Sequence, residues 1–201
     1  MSFFQDENEP FPIPTERASL ELYKAAHANF AIGYTDLVPR DPKTGKLFFV
    51  KRAIEPQKGA SWFIGGRITP GKTNGESAAE HLEKDTGIKA GPGRFQEVSH
   101  WTITHVTPSE GEEGPDVRHC QNTVLVIDLT PEEIQKLNEG KLSDEYDGES
   151  GKWFDPEKID KTEFLPPVRQ FFRDYFSHEV MMDAIHSQAV EEYRHHLDSK
   201  L

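Results

Sequence analysis

The chain carries 35 acidic against 23 basic residues in a length of 201, for a net charge of -12 and a pI near 5.2. That balance speaks against a generic phosphodiester-binding surface, which needs clustered Lys and Arg, while the length suits one domain with a buried core. A single cysteine, Cys120, excludes an intramolecular disulfide framework, and no CxxC or HExxH spacing offers a zinc site, so a reducing, cytoplasmic setting is expected.

The opening "MSFFQDENEPFPIP" has no basic start followed by a long apolar run, and no later stretch approaches about 18 apolar residues; neither a leader nor a membrane partner is expected. A Pro-stiffened arm leads into a helix in "PFPIPTERASLELYKAAH", with Thr15 as a candidate cap and Leu20, Tyr23, Ala26 and His27 on one face. "NFAIGYTDLV" and "GKLFFVKRA" are rich in aromatic and β-branched residues, and "PRDPKTG" between them predicts a hairpin turn. A glycine turn, a short loop, a charged helix and a Gly-Ile stop follow in "GGRITPGKTNGESAAEHLEKDTGI", Gly65 to Ile88.

Next come a strand in "RFQEVSHWTITHV", an acidic loop in "TPSEGEEGPD" and a strand in "NTVLVIDL". Thr130, Pro131 and Glu133 then form the cap, first-turn Pro and capping-box pattern of a short helix. An acidic loop, "SDEYDGES", precedes a brief strand at Trp153, and from Pro166 onward two helices are predicted. The second sets Met182, Ile185, Ala189, Tyr193 and Leu197 in one stripe, a core contact or a homodimer seam. The order implies an α+β fold, a mixed sheet between helical layers with extra N- and C-terminal helices. Residues 1–28 form the arm and first helix, 29–163 the main domain, and 164–201 an extension packed on that domain or on a partner.

The Gly65–Ile88 segment resembles the Nudix box, G-x5-E-x7-R-E-U-x-E-E-x-G-U, in length and frame, with Gly66, Leu82, Gly87 and Ile88 as anchors. "SWFIGG" upstream and "GKWFDPEKI" downstream are similar to other elements of that superfamily, and the resemblance spans roughly Asn29 to Ile159. It implies an α/β/α sandwich in which helix carboxylates hold Mg or Mn against a nucleoside diphosphate linked to another moiety, which water then cleaves. Laid down without a gap, the frame puts Lys72 at the first Glu, Glu80-His81 at Arg-Glu and Lys84-Asp85 at Glu-Glu.

Metal-holding carboxylates on a helix belong at i, i+3 and i+4, and here that face is His81, Lys84 and Asp85. Imidazole at His81 shifts preference from Mg toward Mn. An ammonium about 5 Å from a divalent ion costs roughly 6 kcal/mol at an effective dielectric of about 20, so Lys84 must be diverted, and Glu80 four residues earlier is the expected partner. Asp85 alone then carries the metal. A box reduced to its last acid resembles GDP-mannose mannosyl hydrolases, and "WF" and "GGR" are similar too.

Carried over by position, the Gly65 carbonyl, His81, Asp85 and Asp147 are metal ligands, Arg52 and Arg67 grip the diphosphate, and Arg67, Asp85 and Glu149 are the catalytic set. Where those enzymes place a catalytic His this chain has Gly148, so Glu145, Glu149, His100, His105 and His119 remain candidate bases. Trp62, Trp101 and Trp153 read as core, with Trp101 or Phe63 as candidate base-stacking surfaces. The competing expectation is a Nudix-like nucleotide- or protein-binding module that has lost its metal, with Lys84 and His81 as its evidence. An RNA-binding role, as in the degenerate Nudix subunit of pre-mRNA cleavage factor, is opposed by the overall charge.

Overall fold

A computed structural model describes residues 19–55, 57–108, 115–147, 151–158 and 163–198, with side chains left aside at 20, 105–117 and 184–198. In chain order the elements are α1 (Leu20–Asn29), β1 (Ala31–Arg40), β2 (Leu47–Lys51), β3 (Ser61–Trp62), β4 (Ile64–Arg67), α2 (Asn74–Thr86), a 3-10 turn (Pro92–Arg94), β5 (Phe95–Pro108), β6 (Pro115–Asp128), α3 (Pro131–Glu139), β7 (Lys152–Phe154) and α4 (Pro166–Asp198). The seven strands form one mixed sheet.

The expected α+β class and mixed sheet between helices are what the chain adopts. β1 is the pivot of the sheet. It pairs in parallel with β6 from Ala31↔His119 to Arg40↔Asp128. Its other edge is shared by two antiparallel partners, β4 against Tyr34–Leu37 and β2 at Arg40. β5 lies outside β6, with a register shift between Glu97 and Ser99, while β3 and β7 extend the sheet from β2.

Because strand side chains alternate, neighbours in β1 serve different layers. Leu37 packs with Ala78 and Leu82 of α2 and Leu137 of α3, while Val38 packs with Val168, Phe171 and Phe172 of α4. Phe171 and Phe172 are fully buried, a burial that stabilises by about 1.5–3 kcal/mol per side chain.

Local chemistry sets the helix ends. Thr73 and Glu76 close a capping box on α2, and Gly87 ends it at φ 71°, a left-handed conformation that favours glycine. The expected box of Thr130 and Glu133 opens α3.

Three expectations change. The C-terminal segment forms one helix rather than two: Ser177, the natural candidate for a second cap, donates its hydroxyl back to the Arg173 carbonyl at 3.0 Å and so stays inside the helix. Ser19 caps α1, receiving the Leu22 N–H at 3.2 Å; Thr15 lies outside the described residues. β6 begins at Pro115 rather than Asn122, because the hairpin with β5 continues to Pro108↔Pro115. Within the Met182 stripe, Met182 is exposed and the other four side chains lie outside those described. No helix among the described residues is long and apolar enough to cross a membrane.

Candidate functional site

The helix α2 ties itself down with its own charges. Lys72 and Glu80, at the positions where the box pattern has Glu and Arg, again carry opposite charges and are in ion-pair contact. Thr69 adds a hydroxyl bond to Glu80 at 2.9 Å. Glu80 is therefore engaged by the loop before the helix and does not draw off Lys84.

Lys84 turns inward instead. Its Nζ stands 3.2 Å from an Asp85 oxygen and 3.1 Å from Glu145. Burial would lower its pKa, but the two carboxylates outweigh that and hold it above the ordinary lysine value. Asp85 itself is 1% exposed and accepts hydrogen bonds from Ser143 Oγ at 2.9 Å and Tyr146 Oη at 3.0 Å, while the Ser143 N–H donates to its backbone carbonyl. Tyr146 is buried and its pKa is raised, first by burial and then by the Asp85 charge, so it remains a donor.

His81 is similarly committed. Its Nε2 donates to the Arg67 carbonyl at 3.0 Å, and the imidazole fills the space over Gly66, where a Cβ would fall 2.8 Å from its Cε1. Burial is the largest influence on the ring and lowers its pKa, keeping it neutral. Gly65 has φ 152°, and a Cβ there would lie 2.4 Å from the Thr35 carbonyl, so only glycine fits.

These donors do not suit a divalent ion as they stand. Mg and Mn require several oxygens around one point, whereas both Asp85 oxygens are already bonded and an ammonium occupies the approach to one of them. Asp147 is exposed and does not line the cleft described below, and no group of three His, Cys, Asp or Glu among the described residues could share an ion. The expected metal set of Gly65, His81, Asp85 and Asp147 is thereby corrected to a structural one: the side chains that were to hold the cation hold the fold. The expected diversion of Lys84 to Glu80 is corrected with it.

Beside this cluster opens a cleft of about 510 Å³. It forms where β4 and β2 share one edge of β1. Arg52, Arg67, Lys84 and Arg118 supply cations, so an acidic protein gathers positive charge here, with Asp36, Glu55 and Glu145 as the opposing acids. Arg67 lies 4.7 Å from the centre of the Tyr23 ring, and Arg118 5.8 Å, so α1 braces the cleft mouth. His27 anchors α1 by bonding Tyr34 Oη at 2.9 Å. Trp62, Phe63 and Trp101 form an aromatic wall with ring centres 5.3 to 6.2 Å apart.

Two polar residues of the cleft floor were not anticipated. Asp36 on β1 is 4% exposed and accepts from Asn122 Nδ2 on β6 at 2.7 Å. Burial pushes its pKa up to about 7 against the opposing pull of Asn122 and Arg52. Asn122 Oδ1 and Trp101 Nε1 are both buried with no hydrogen-bond partner. The signal for these residues was an Asp inside the apolar run "GYTDLV" and an Asn opening "NTVLVIDL", each on a strand face that should be core.

Of the expected site residues, the structure brings Arg52, Gly65, Arg67 and His81 to the cleft and buries Asp85 behind Lys84. Glu149 lies outside the described residues. Among the candidate bases, Glu145 lines the cleft but is paired with Lys84, while His100 and His119 are exposed on the sheet away from it; the His105 side chain is not described.

No protein-family model and no curated protein matches the sequence. Among solved structures, the chain is similar to the MutT protein from Methanosarcina mazei Go1 over 74% of its own length and 95% of that chain, at 17% identity and a TM-score of 0.54. NrtR from Shewanella oneidensis aligns over 75% of this chain and 64% of its own, at 13% identity and a TM-score of 0.50. A MutT NUDIX hydrolase from Burkholderia pseudomallei aligns over 73% and 98%, at 14% identity and a TM-score of 0.47. At such identities the likeness is one of fold: the chain adopts the Nudix fold.

Proposed function

We propose that the chain is a nucleotide-binding module on the Nudix fold that takes a nucleoside diphosphate or a nucleoside diphosphate linked to another moiety without Mg or Mn. The observation that carries this reading is Lys84, whose ammonium stands on Asp85 and Glu145 on the helix face that would otherwise hold a metal. A fixed ammonium beside the cleft, with the guanidinium forks of Arg52, Arg67 and Arg118, can meet a diphosphate directly. The wall of Trp62, Phe63 and Trp101 suits a planar apolar group.

Calorimetric titration with ADP, GDP, ADP-ribose and nucleotide sugars, in EDTA and then in Mg, tests it. Binding of equal strength in both buffers, weakened by Arg67→Ala, is expected. Affinity that appears only with metal would overturn the reading.

A second reading, a Mg- or Mn-dependent hydrolase of nucleotide sugars such as GDP-mannose, draws on one feature: the Lys84 side chain is 45% exposed and can swing into solvent, uncovering Asp85 next to Glu145. Turnover of any such substrate that is abolished by Asp85→Asn in a folded protein would favour it.

A further inference from the structure

Resting on that binding reading, we propose that Trp101 and Asn122, with Asp36 as the positioning residue, read a lactam edge on the ligand, a ring N–H beside a carbonyl oxygen as in guanine, hypoxanthine or uracil. The two residues face each other across the β5–β6 ladder, in register as Trp101↔Asn122. Each ends in a buried polar atom without a partner: the Nε1–H of Trp101, which can only donate, and the Oδ1 of Asn122, which can only accept. Buried groups in this condition are uncommon, and here a donor and an acceptor of this kind occur on paired residues that both line the cleft. A lactam offers the complementary pair, its carbonyl to the indole and its N–H to the amide oxygen. Adenine and cytosine present a ring nitrogen acceptor beside an amino donor and leave one protein group facing its own kind.

Asp36 fixes which amide atom is free. An ionised carboxylate can only accept, so Asn122 must turn Nδ2 toward it, as it does at 2.7 Å, and keep Oδ1 for the ligand. Trp101 has space in which to adjust. It lines both the cleft and a second cavity of about 430 Å³, so the indole has empty volume on two sides when a ligand edge enters.

The experiment is calorimetric titration of the full chain at pH 8 in EDTA with GDP, IDP and UDP against ADP and CDP, on the parent, Trp101→Phe and Asp36→Asn. The three lactam nucleotides should bind at least tenfold more tightly than the other two. Trp101→Phe keeps the ring and removes the N–H, and should bring the preference to within about threefold while binding persists. Asp36→Asn releases the amide to turn either way and should reduce the preference similarly; thermal melts confirm that both variants are folded. If all five bind alike to the parent, or if Trp101→Phe keeps the full preference, the edge-reading proposal is wrong and the binding reading stands. If none binds, both fall together.

Discussion

Asp85 and Asp36 are both buried carboxylates, at 1% and 4% exposure, and the protein treats them oppositely. Asp85 is surrounded by Ser143, Tyr146 and Lys84, each a donor within 3.2 Å. Asp36 accepts from Asn122, whose own oxygen is then left without a partner, and its pKa rises to about 7. A polar cluster whose groups are all satisfied rigidifies a fold, whereas one with groups left over is kept for something else to complete. By this criterion the acid that the box frame singles out is structure, and the acid it passes over belongs to the site.

The sharpest way to break the comparison is to remove each acid in turn. Asp85→Ala strands a tyrosine hydroxyl, a serine hydroxyl and an ammonium at once, which should cost about 3 to 5 kcal/mol of stability by urea unfolding with linear extrapolation. An unchanged unfolding midpoint would show the cluster to be dispensable and return Asp85 to a ligand role.

Asp36 should show its different condition through pH. Its carboxyl holds a proton up to about 7 in the folded chain, whereas the unfolded chain releases it in the ordinary carboxylate range. Between those limits the folded state binds more protons, so this group's contribution is fully present at low pH and is lost as pH climbs toward 7. Against Asp36→Asn, which cannot ionise, the parent should therefore lose roughly 3 kcal/mol between pH 4 and pH 8. Parallel stability curves for the two proteins would mean that Asp36 is solvated in practice.

Much of the fold was legible because it rests on local chemistry. The hairpin turn, the Gly87 stop, the capping box at Thr130 and the frame of α2 all depend on residues within a few positions of one another. What escaped depends on distance along the chain. Lys84 prefers Glu145 over Glu80, and the difference is made by a loop 61 residues away that no helical spacing can reveal. The floor of the cleft is assembled from Asp36 and Asn122, 86 positions apart, and only the parallel pairing of β1 with β6 joins them. Ser177 misled for a local reason, since a serine that caps and one that bonds backward look alike in sequence.

A smaller effect separates the cleft mouth from its floor. Arg67 is exposed and stacks on Tyr23, so Arg67→Ala should leave the fold nearly untouched and weaken diphosphate binding about tenfold, the scale of one charge-assisted hydrogen bond. The loss should shrink as salt is raised, because an exposed charge is screened by added ions. Affinity insensitive to both substitution and salt would move the phosphate subsite deeper, toward Lys84 and Arg52.

The least costly substitution is the most informative about the leftover donor. Truncating a large buried aromatic usually leaves a void and costs several kcal/mol, yet Trp101→Phe keeps a ring against Trp62 and Phe63 and deletes an N–H that has no partner. The loss of packing and the relief of an unsatisfied donor oppose each other, each on the order of 1–3 kcal/mol, so the unfolding midpoint should move by less than about 1 kcal/mol. A loss of 3 kcal/mol or more would mean that the indole N–H has a partner in solution, most simply the Asn122 oxygen across the ladder. The two leftover groups would then satisfy each other, and the contrast between the two acids would narrow to Asp36 alone.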